Sequence, residues 1–250
     1  MKLLDYITNH SNARHAGMAI LIDPDKIAQE HVMKERIERW EASGVSLFLV
    51  GGSVLHSTNF HDAVKMVKRL SRLPVVLFPG NAMQIDSNAD GILLLSLISG
   101  RNPDLLIGQH VLAAPALAAS KLEIIPTGYM LIDGGRSTSA SYISQTHPIP
   151  HDKPALAAIT ALAGEQLGLK CIYLDAGSGA EKSVTPEMVR AVREAVQIPV
   201  MVGGGLRSKQ HIQALQDAGA DLVVVGTFLE ENPENISQLQ DAFMTSKSKD

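Results

Sequence analysis

Eight short apolar runs alternate with amphipathic stretches from one end of the chain to the other, and the last three each run into a carboxylate or glycine loop. With 250 residues, 45% of them hydrophobic, and no linker or low-complexity tract between them, the chain has material for one large core. These observations predict a single-domain α/β fold, a TIM (β/α)8 barrel spanning residues 1–250. Strand and helix patterns in strict alternation build a parallel sheet, and barrels of this kind commonly reach about 250 residues as one domain.

Taken in order, the strands fall at 18–22, 46–50, 75–78, 91–95, 124–125 continuing at 129–132, 171–174, 200–202 and 222–225, each a short apolar run bounded by turn residues. Apolar residues at helical spacing fill most of the gaps, at 27–42, 62–70, 103–119, 155–167, 186–196 and 209–218. Several of these helices are opened by proline or by a capping side chain such as Ser208. The rhythm breaks twice. Residues 79–90 hold Pro, Gly, two Asn and two Asp, too short and too polar for a crossover helix, so the third helix is expected to be replaced by a loop or extended segment. Residues 133–153 are rich in Ser, Thr, Gly and Pro and follow the fifth strand at the end where barrels keep their active sites, as a lid or substrate-contacting loop would. The polar tail 245–250 is expected to fray.

Composition excludes several classes. A net charge of -4 and a pI near 6.1 offer no basic field for nucleic acid, so an anionic ligand must be met by local backbone dipoles and metal. Cys171 is the single cysteine, which fits a reducing cytoplasm and a small core residue rather than a disulfide framework. No apolar run approaches the ~20 residues of a membrane span. Residues 1–14 carry Asp5, Asn9 and His10 where a signal peptide needs its apolar stretch, so an uncleaved cytoplasmic protein is expected.

The candidate chemistry lies at strand ends. In C-I-Y-L-D-A-G-S-G-A-E-K-S, residues 171–183, an apolar strand presents Asp175 beside a loop opened by Gly177 and Gly179, whose backbone N–H groups are free to wrap an anion. The next two strands end in Gly203, Gly204, Gly205 and in Gly226, Thr227, and loops after the seventh and eighth strands form the phosphate site of many barrels. L-I-D-P-D-K puts Asp23 at the mouth of the first strand, where it holds Mg²⁺ or where Asp23 or Asp25 caps the following helix. Ser53, in V-G-G-S, is a ligand hydroxyl or a turn residue. Tyr173 is read as facing the side of Asp175 only if the strand bends, its phenol bonding a ligand or filling the core. Arg207 either reaches an anion or sits on the outer face of the next helix, the second being preferred. Histidines 56, 61, 110, 147, 151 and 211 lack metal-ligand spacing and are expected at the surface.

Together, L-I-D-P-D-K, V-G-G-S, L-F-P-G-N, L-L-L-S-L-I-S-G-R-N-P, I-I-P-T-G-Y-M-L-I-D-G-G, Y-I-S-Q-T-H-P-I-P, Y-L-D-A-G-S-G-A, V-G-G-G-L-R-S and V-V-V-G-T resemble, in order and over nearly the whole chain, the geranylgeranylglyceryl phosphate synthase family, with its bacterial heptaprenylglyceryl members. The resemblance implies a barrel with its third helix replaced and an Mg²⁺-dependent transfer of a polyprenyl group, geranylgeranyl for preference, from its diphosphate to the C3 hydroxyl of sn-glycerol 1-phosphate. By position it makes Asp23 and Ser53 metal-binding residues and assigns glycerol phosphate to Tyr173, Leu174, Asp175, Ala176, Gly177, Ser178, Gly179, Gly203, Gly204, Gly226 and Thr227. Asp175 orients or deprotonates the attacking hydroxyl. Many members carry Glu at that place, and one branch carries a lysine where this chain has Leu21, with Lys26 open as a substitute. The expected partners are the two substrates, a further copy of the chain in a homo-oligomer, and transient membrane contact for the lipid product. The prenyl channel is expected near 94–98 and 112–117. The competing reading is a phosphosugar aldolase or isomerase on the same phosphate-binding barrel, which calls for a Schiff-base lysine or an acid–base pair on strand ends.

Overall fold

The computed structural model describes residues 2–12, 16–56 and 58–244; the tail 245–250 lies outside them. Strands β1 (Gly17–Ile22), β2 (Leu47–Gly52), β3 (Val75–Pro79), β4 (Gly91–Leu97), β5 (Glu123–Leu131), β6 (Cys171–Asp175), β7 (Val200–Gly203) and β8 (Leu222–Val225) pair in chain order, all parallel, and β8 returns to β1 to close the barrel. Around them run α1 (Leu3–Asn12), α2 (Glu30–Ala42), α3 (Phe60–Leu70), α4 (Gln109–Ala119), α5 (Ser139–Ser144), α6 (Pro154–Gln166), α7 (Pro186–Ala195), α8 (Lys209–Asp217), α9 (Thr227–Glu231) and α10 (Ile236–Met244).

Successive residues of a strand point to opposite faces, so each strand feeds two cores. Cys171 and Tyr173 join Leu49, Val76, Tyr129, Met201 and Val224 inside the barrel, while Ile172 and Leu174 join Val202, Val189 and Ile212 in the layer between barrel and helices. Cys171 is a core residue as expected: burial pushes its thiol up to about 12, against a bond with the Thr127 hydroxyl, so it is no thiolate nucleophile at neutral pH. The register sets Leu131, Asp175 and Gly203 level with one another at the C-terminal rim.

Three features depart from the periodicity. The fifth strand is unbroken through Pro126 and Gly128, because proline forfeits only its own N–H and the Pro126 carbonyl still accepts from Lys170 N at 2.7 Å. Helix α1, outside the elements the sequence pattern predicts, has its first N–H groups bound by the Glu123 carboxylate (Leu3 N 2.6 Å, Leu4 N 3.0 Å) and puts Leu3 and Ile7 into the interior core at the N-terminal end of β5. The stretch 103–119 divides into a π-helical turn, Asp104–Gly108, and α4. Between β3 and β4 there is no helix, only turns, as the composition of 79–90 requires.

Candidate active site

The three glycine loops converge. Gly177, Gly179 and Gly204 have φ of +90°, +67° and +87°, a region open to glycine at little cost. A Cβ on Gly204 would stand 2.6 Å from Gly177 N and 2.8 Å from Ala176 N, so the loops after β6 and β7 touch backbone to backbone. Ser178 Oγ meets Thr227 Oγ1 at 2.9 Å, which ties in the loop after β8. The amides of Ser178, Gly179 and Gly205 donate to no other described residue. Together the loops border a cavity of about 1300 Å³, open to solvent, that also meets Asp23, Lys26, Ser53, Tyr173, Asp175 and Glu230. Backbone N–H groups that converge in this way form an anion cradle needing no basic side chain.

Asp175 closes the floor of that cavity and is 8% exposed. Its Oδ2 accepts from the Tyr129 phenol at 2.6 Å and its Oδ1 from Gly177 N at 2.7 Å. Burial pushes the carboxyl above the usual carboxylate range, and these two bonds pull it partly back. Burial, with the neighbouring Asp175 charge, raises both the Tyr129 and the Tyr173 phenols well above their ordinary value, so both remain hydroxyl donors. Tyr173 packs its ring against Phe78 and Tyr129, with centroids 5.2 and 5.7 Å away, and its oxygen occupies the place a Gly203 side chain would take. Tyr173 and Asp175 are two residues apart and share the inward face without any bend, which corrects the sequence expectation. Tyr129 was missed: it lies 46 residues from Asp175, and only the level pairing of β5 with β6 brings the two together.

Asp23 is a cap, one of the roles the sequence leaves open, though of the short turn after β1 and not of α2. Its Oδ1 caps the turn at Pro24–Lys26, accepting from Asp25 N at 3.0 Å, while the carboxylate also lines the cavity near Gly52. Lys26 Nζ lies 3.3 Å from Asp23 Oδ2 and 2.8 Å from Glu230 Oε2. Burial alone would lower the Lys26 ammonium, but Glu230 and Asp23 outweigh it and hold it above the ordinary lysine value. Among the described residues no group of three or more His, Cys, Asp or Glu converges as a metal cage. One carboxylate and one hydroxyl, Asp23 and Ser53, are hard oxygen donors compatible with Mg²⁺, an ion that keeps several waters and is bound by one or two carboxylates plus substrate phosphates.

Leu174 and Ala176 do not line the cavity; their side chains are buried in the outer core, and Gly203 lies beneath Tyr173. Arg207 does line it. It sits in the loop before α8 with its guanidinium 4.0 Å from Glu231, not on the outer face of a helix. Exposed His56 also borders the cavity, whereas His110, His151 and His211 are half-buried rather than at the surface; His211 Nε2 is 2.7 Å from Ser183 Oγ.

A second cavity, about 860 Å³ and mostly apolar, adjoins the first and shares Gly52, Ser53, Phe78 and Ala140 with it. Its walls are Leu94, Leu95 and Leu97 of β4, Ala113 of α4, Ile143 of α5, and Pro79, Ala82 and Ile85 from the segment that stands in for the third helix. Of the residues at 94–98 and 112–117, Leu94, Leu95, Leu97 and Ala113 line this cavity, whereas Leu112 is 68% exposed and Leu117 belongs to the outer core. Gln84 pins the helix-less segment, accepting from Gly80 N and donating to Gly52 O, each at 3.1 Å. The 133–153 segment contributes Thr138, Ser139 and Ala140 to the polar cavity and Ala140, Ile143 and Ser144 to the apolar one.

Residues 11–245 match the family model described as the PcrB family. A geranylgeranylglyceryl phosphate synthase of Spirosoma linguale is 52% identical over 223 residues, 89% of either chain. One from Korarchaeum cryptofilum is 39% identical over 236 residues, 94% of this chain and 96% of that one. The crystal structure of (S)-3-O-geranylgeranylglyceryl phosphate synthase from Thermoplasma acidophilum in complex with sn-glycerol-1-phosphate superposes with a TM-score of 0.90 at 30% identity, covering 98% of this chain and 99% of that one.

Proposed function

The chain belongs to the PcrB family, and from that premise we propose that it is a prenyltransferase, a geranylgeranylglyceryl phosphate synthase, joining a polyprenyl diphosphate to the C3 hydroxyl of sn-glycerol 1-phosphate. The observation that carries this reading is the pair of joined cavities. A polar one combines an anion cradle with a buried carboxylate, and an apolar one opens from it at Ser53.

The loops at Gly177–Gly179, Gly204–Gly205 and Gly226–Thr227 hold the phosphate of glycerol phosphate. Asp175 accepts the proton of the C3 hydroxyl as its oxygen bonds to C1 of the prenyl group, and the bond from C1 to diphosphate breaks. Tyr129 and Gly177 N hold the carboxylate oxygens in place. The substrate's apolar chain lies in the cavity along β4, with its diphosphate at the Ser53 junction. Asp23 and Ser53 would hold Mg²⁺, which would supply positive charge against the leaving diphosphate. We assign the protein to the cytoplasm, acting as a homo-oligomer with transient membrane contact; no helix among the described residues is long and apolar enough to cross a membrane.

The aldolase reading loses its nucleophile. Lys26 is the lysine lining the polar cavity, it sits on a turn, and its two carboxylate partners keep it protonated, whereas a Schiff-base lysine needs a lowered pKa. The test is incubation with Mg²⁺, sn-glycerol 1-phosphate and prenyl diphosphates of graded length. An ether product from sn-glycerol 1-phosphate and little from the 3-phosphate enantiomer is expected. No ether at any length overturns the reading.

A further inference from the structure

Lys26 and Arg207 are the two permanent cations among the described residues lining the polar cavity, set against Asp23, Asp25, Asp175 and Glu230. The lining is therefore net negative, yet on the reading above it must admit a monophosphate and a diphosphate together. The glycine loops meet the first anion with backbone N–H groups. The second arrives at Asp23 and Ser53, on the β1 and β2 side of the cavity.

Lys26 is the cation on that side. Its side chain is 52% exposed, it reaches over the Asp23 carboxylate at 3.3 Å, and Glu230 holds it at 2.8 Å. Glu230 stands on α9, the short helix that begins at Thr227, so the ion pair spans from the β1 turn to the phosphate loop after β8. We propose that Lys26 is a diphosphate-binding residue of this enzyme, parked on Asp23 and Glu230 in the free protein and turning to the diphosphate when Mg²⁺ occupies Asp23. Two cations cannot share one carboxylate oxygen without repulsion. The lysine stem has four rotatable carbons and its ammonium is a compact point charge, so it can leave both carboxylates for the anion that the ion brings with it. The inference rests on the prenyltransferase reading and adds a contact that Asp23 and Ser53 do not supply.

The experiment compares Lys26→Gln, Lys26→Arg and Glu230→Gln with the unmodified protein, by calorimetry with Mg²⁺ plus inorganic diphosphate and, separately, with sn-glycerol 1-phosphate. Loss of one charge-assisted bond should weaken diphosphate roughly 10- to 100-fold in Lys26→Gln while glycerol phosphate affinity stays within about twofold, and Lys26→Arg should recover part of the loss. Glu230→Gln frees Lys26 from a competing carboxylate, so diphosphate should bind as well or better. If the ion pair is only a latch between the β1 turn and α9, Glu230→Gln and Lys26→Gln will instead fall together for both ligands, and the proposal is overturned. It is equally overturned by unchanged diphosphate affinity in a folded Lys26→Gln, or by no diphosphate binding in the unmodified protein. Calorimetry needs no turnover, so binding that behaves as expected in a protein that makes no ether would reject the reaction and keep the diphosphate site.

Discussion

The polar and apolar cavities meet at Gly52, Ser53, Phe78 and Ala140, yet they are made by opposite means. The polar one is built from backbone. Three consecutive strands end in glycines, positive φ at Gly177, Gly179 and Gly204 lets main chain face main chain after the first two, and the side chains that matter, Asp175 and Tyr129, are locked by short bonds within a buried interior. The apolar one is built from an omission. Where a third helix would cover β3 and β4, a turn-rich segment pinned by Gln84 leaves Leu94, Leu95 and Phe78 reachable. A rigid backbone cradle suits a small ligand held in one pose, and a groove of side chains suits a flexible chain. The comparison therefore predicts that changes in one region will leave binding in the other intact.

The largest expected effect is at Asp175. Asp175→Asn should lower turnover by roughly 10²–10⁴-fold, the usual range for a lost general base, with glycerol phosphate affinity nearly unchanged, because the phosphate is held by the glycine loops. The amide can still accept from Gly177 N and donate to the Tyr129 oxygen, so the fold is retained. Turnover within about twofold of the unmodified protein would remove Asp175 from the mechanism.

Next comes the cradle itself. Gly204→Ala must place a Cβ 2.6 Å from Gly177 N in a residue whose φ is +87°, so glycerol phosphate binding should be lost and stability should fall by about 1–3 kcal/mol from the backbone strain. Valine there would be too disruptive to separate binding from folding. Binding of a prenyl diphosphate should survive in the alanine variant; calorimetry showing both ligands lost alike would mean the two cavities are not independent.

A smaller and opposite effect is expected at Gln84. Gln84→Ala leaves Gly80 N and Gly52 O without their partner and frees the helix-less segment, costing about 1–3 kcal/mol. The KM for prenyl diphosphate should rise while that for sn-glycerol 1-phosphate does not. Equal rises in both would show that the segment supports the polar cavity too.

The same contrast explains what the sequence disclosed. Glycine at the end of an apolar run has few uses, so Gly177, Gly179, Gly204 and Gly226 announce a ligand loop on local evidence, and the shortness of 79–90 betrays a missing helix. Long-range pairs leave no such trace. Tyr129 is 46 residues from Asp175, Glu230 is 204 from Lys26, and Gln84 reaches back 32 to Gly52. Helix α1 was invisible for the same reason, since the carboxylate that caps it, Glu123, stands at the start of β5. Leu174 was carried into the site by its motif although period-two alternation turns it outward, and the same rule, applied strictly, would have placed Tyr173 beside Asp175.

The finest test concerns Tyr129. Its phenol lowers the Asp175 carboxyl against the rise caused by burial, so Tyr129→Phe should move that carboxyl further up. Asp175 must be ionised to accept a proton, hence the acid limb of the pH profile of kcat/KM should shift to higher pH in the variant, with a plateau that differs little once Asp175 is ionised. Stability should follow the same group. A carboxyl raised in the folded state stabilises most below its unfolded value of about 3.9, and that contribution is lost as pH rises through the folded value. Raising the folded value further deepens the loss, so the gap in Tm between the variant and the unmodified protein should be small in acid and widen toward neutral pH. Asp175→Asn, which removes the buried charge, should show the reverse trend and melt higher than the unmodified protein above neutrality. Superimposable pH profiles for Tyr129→Phe and the unmodified protein would show that the 2.6 Å bond fixes the carboxylate's position without tuning its proton affinity.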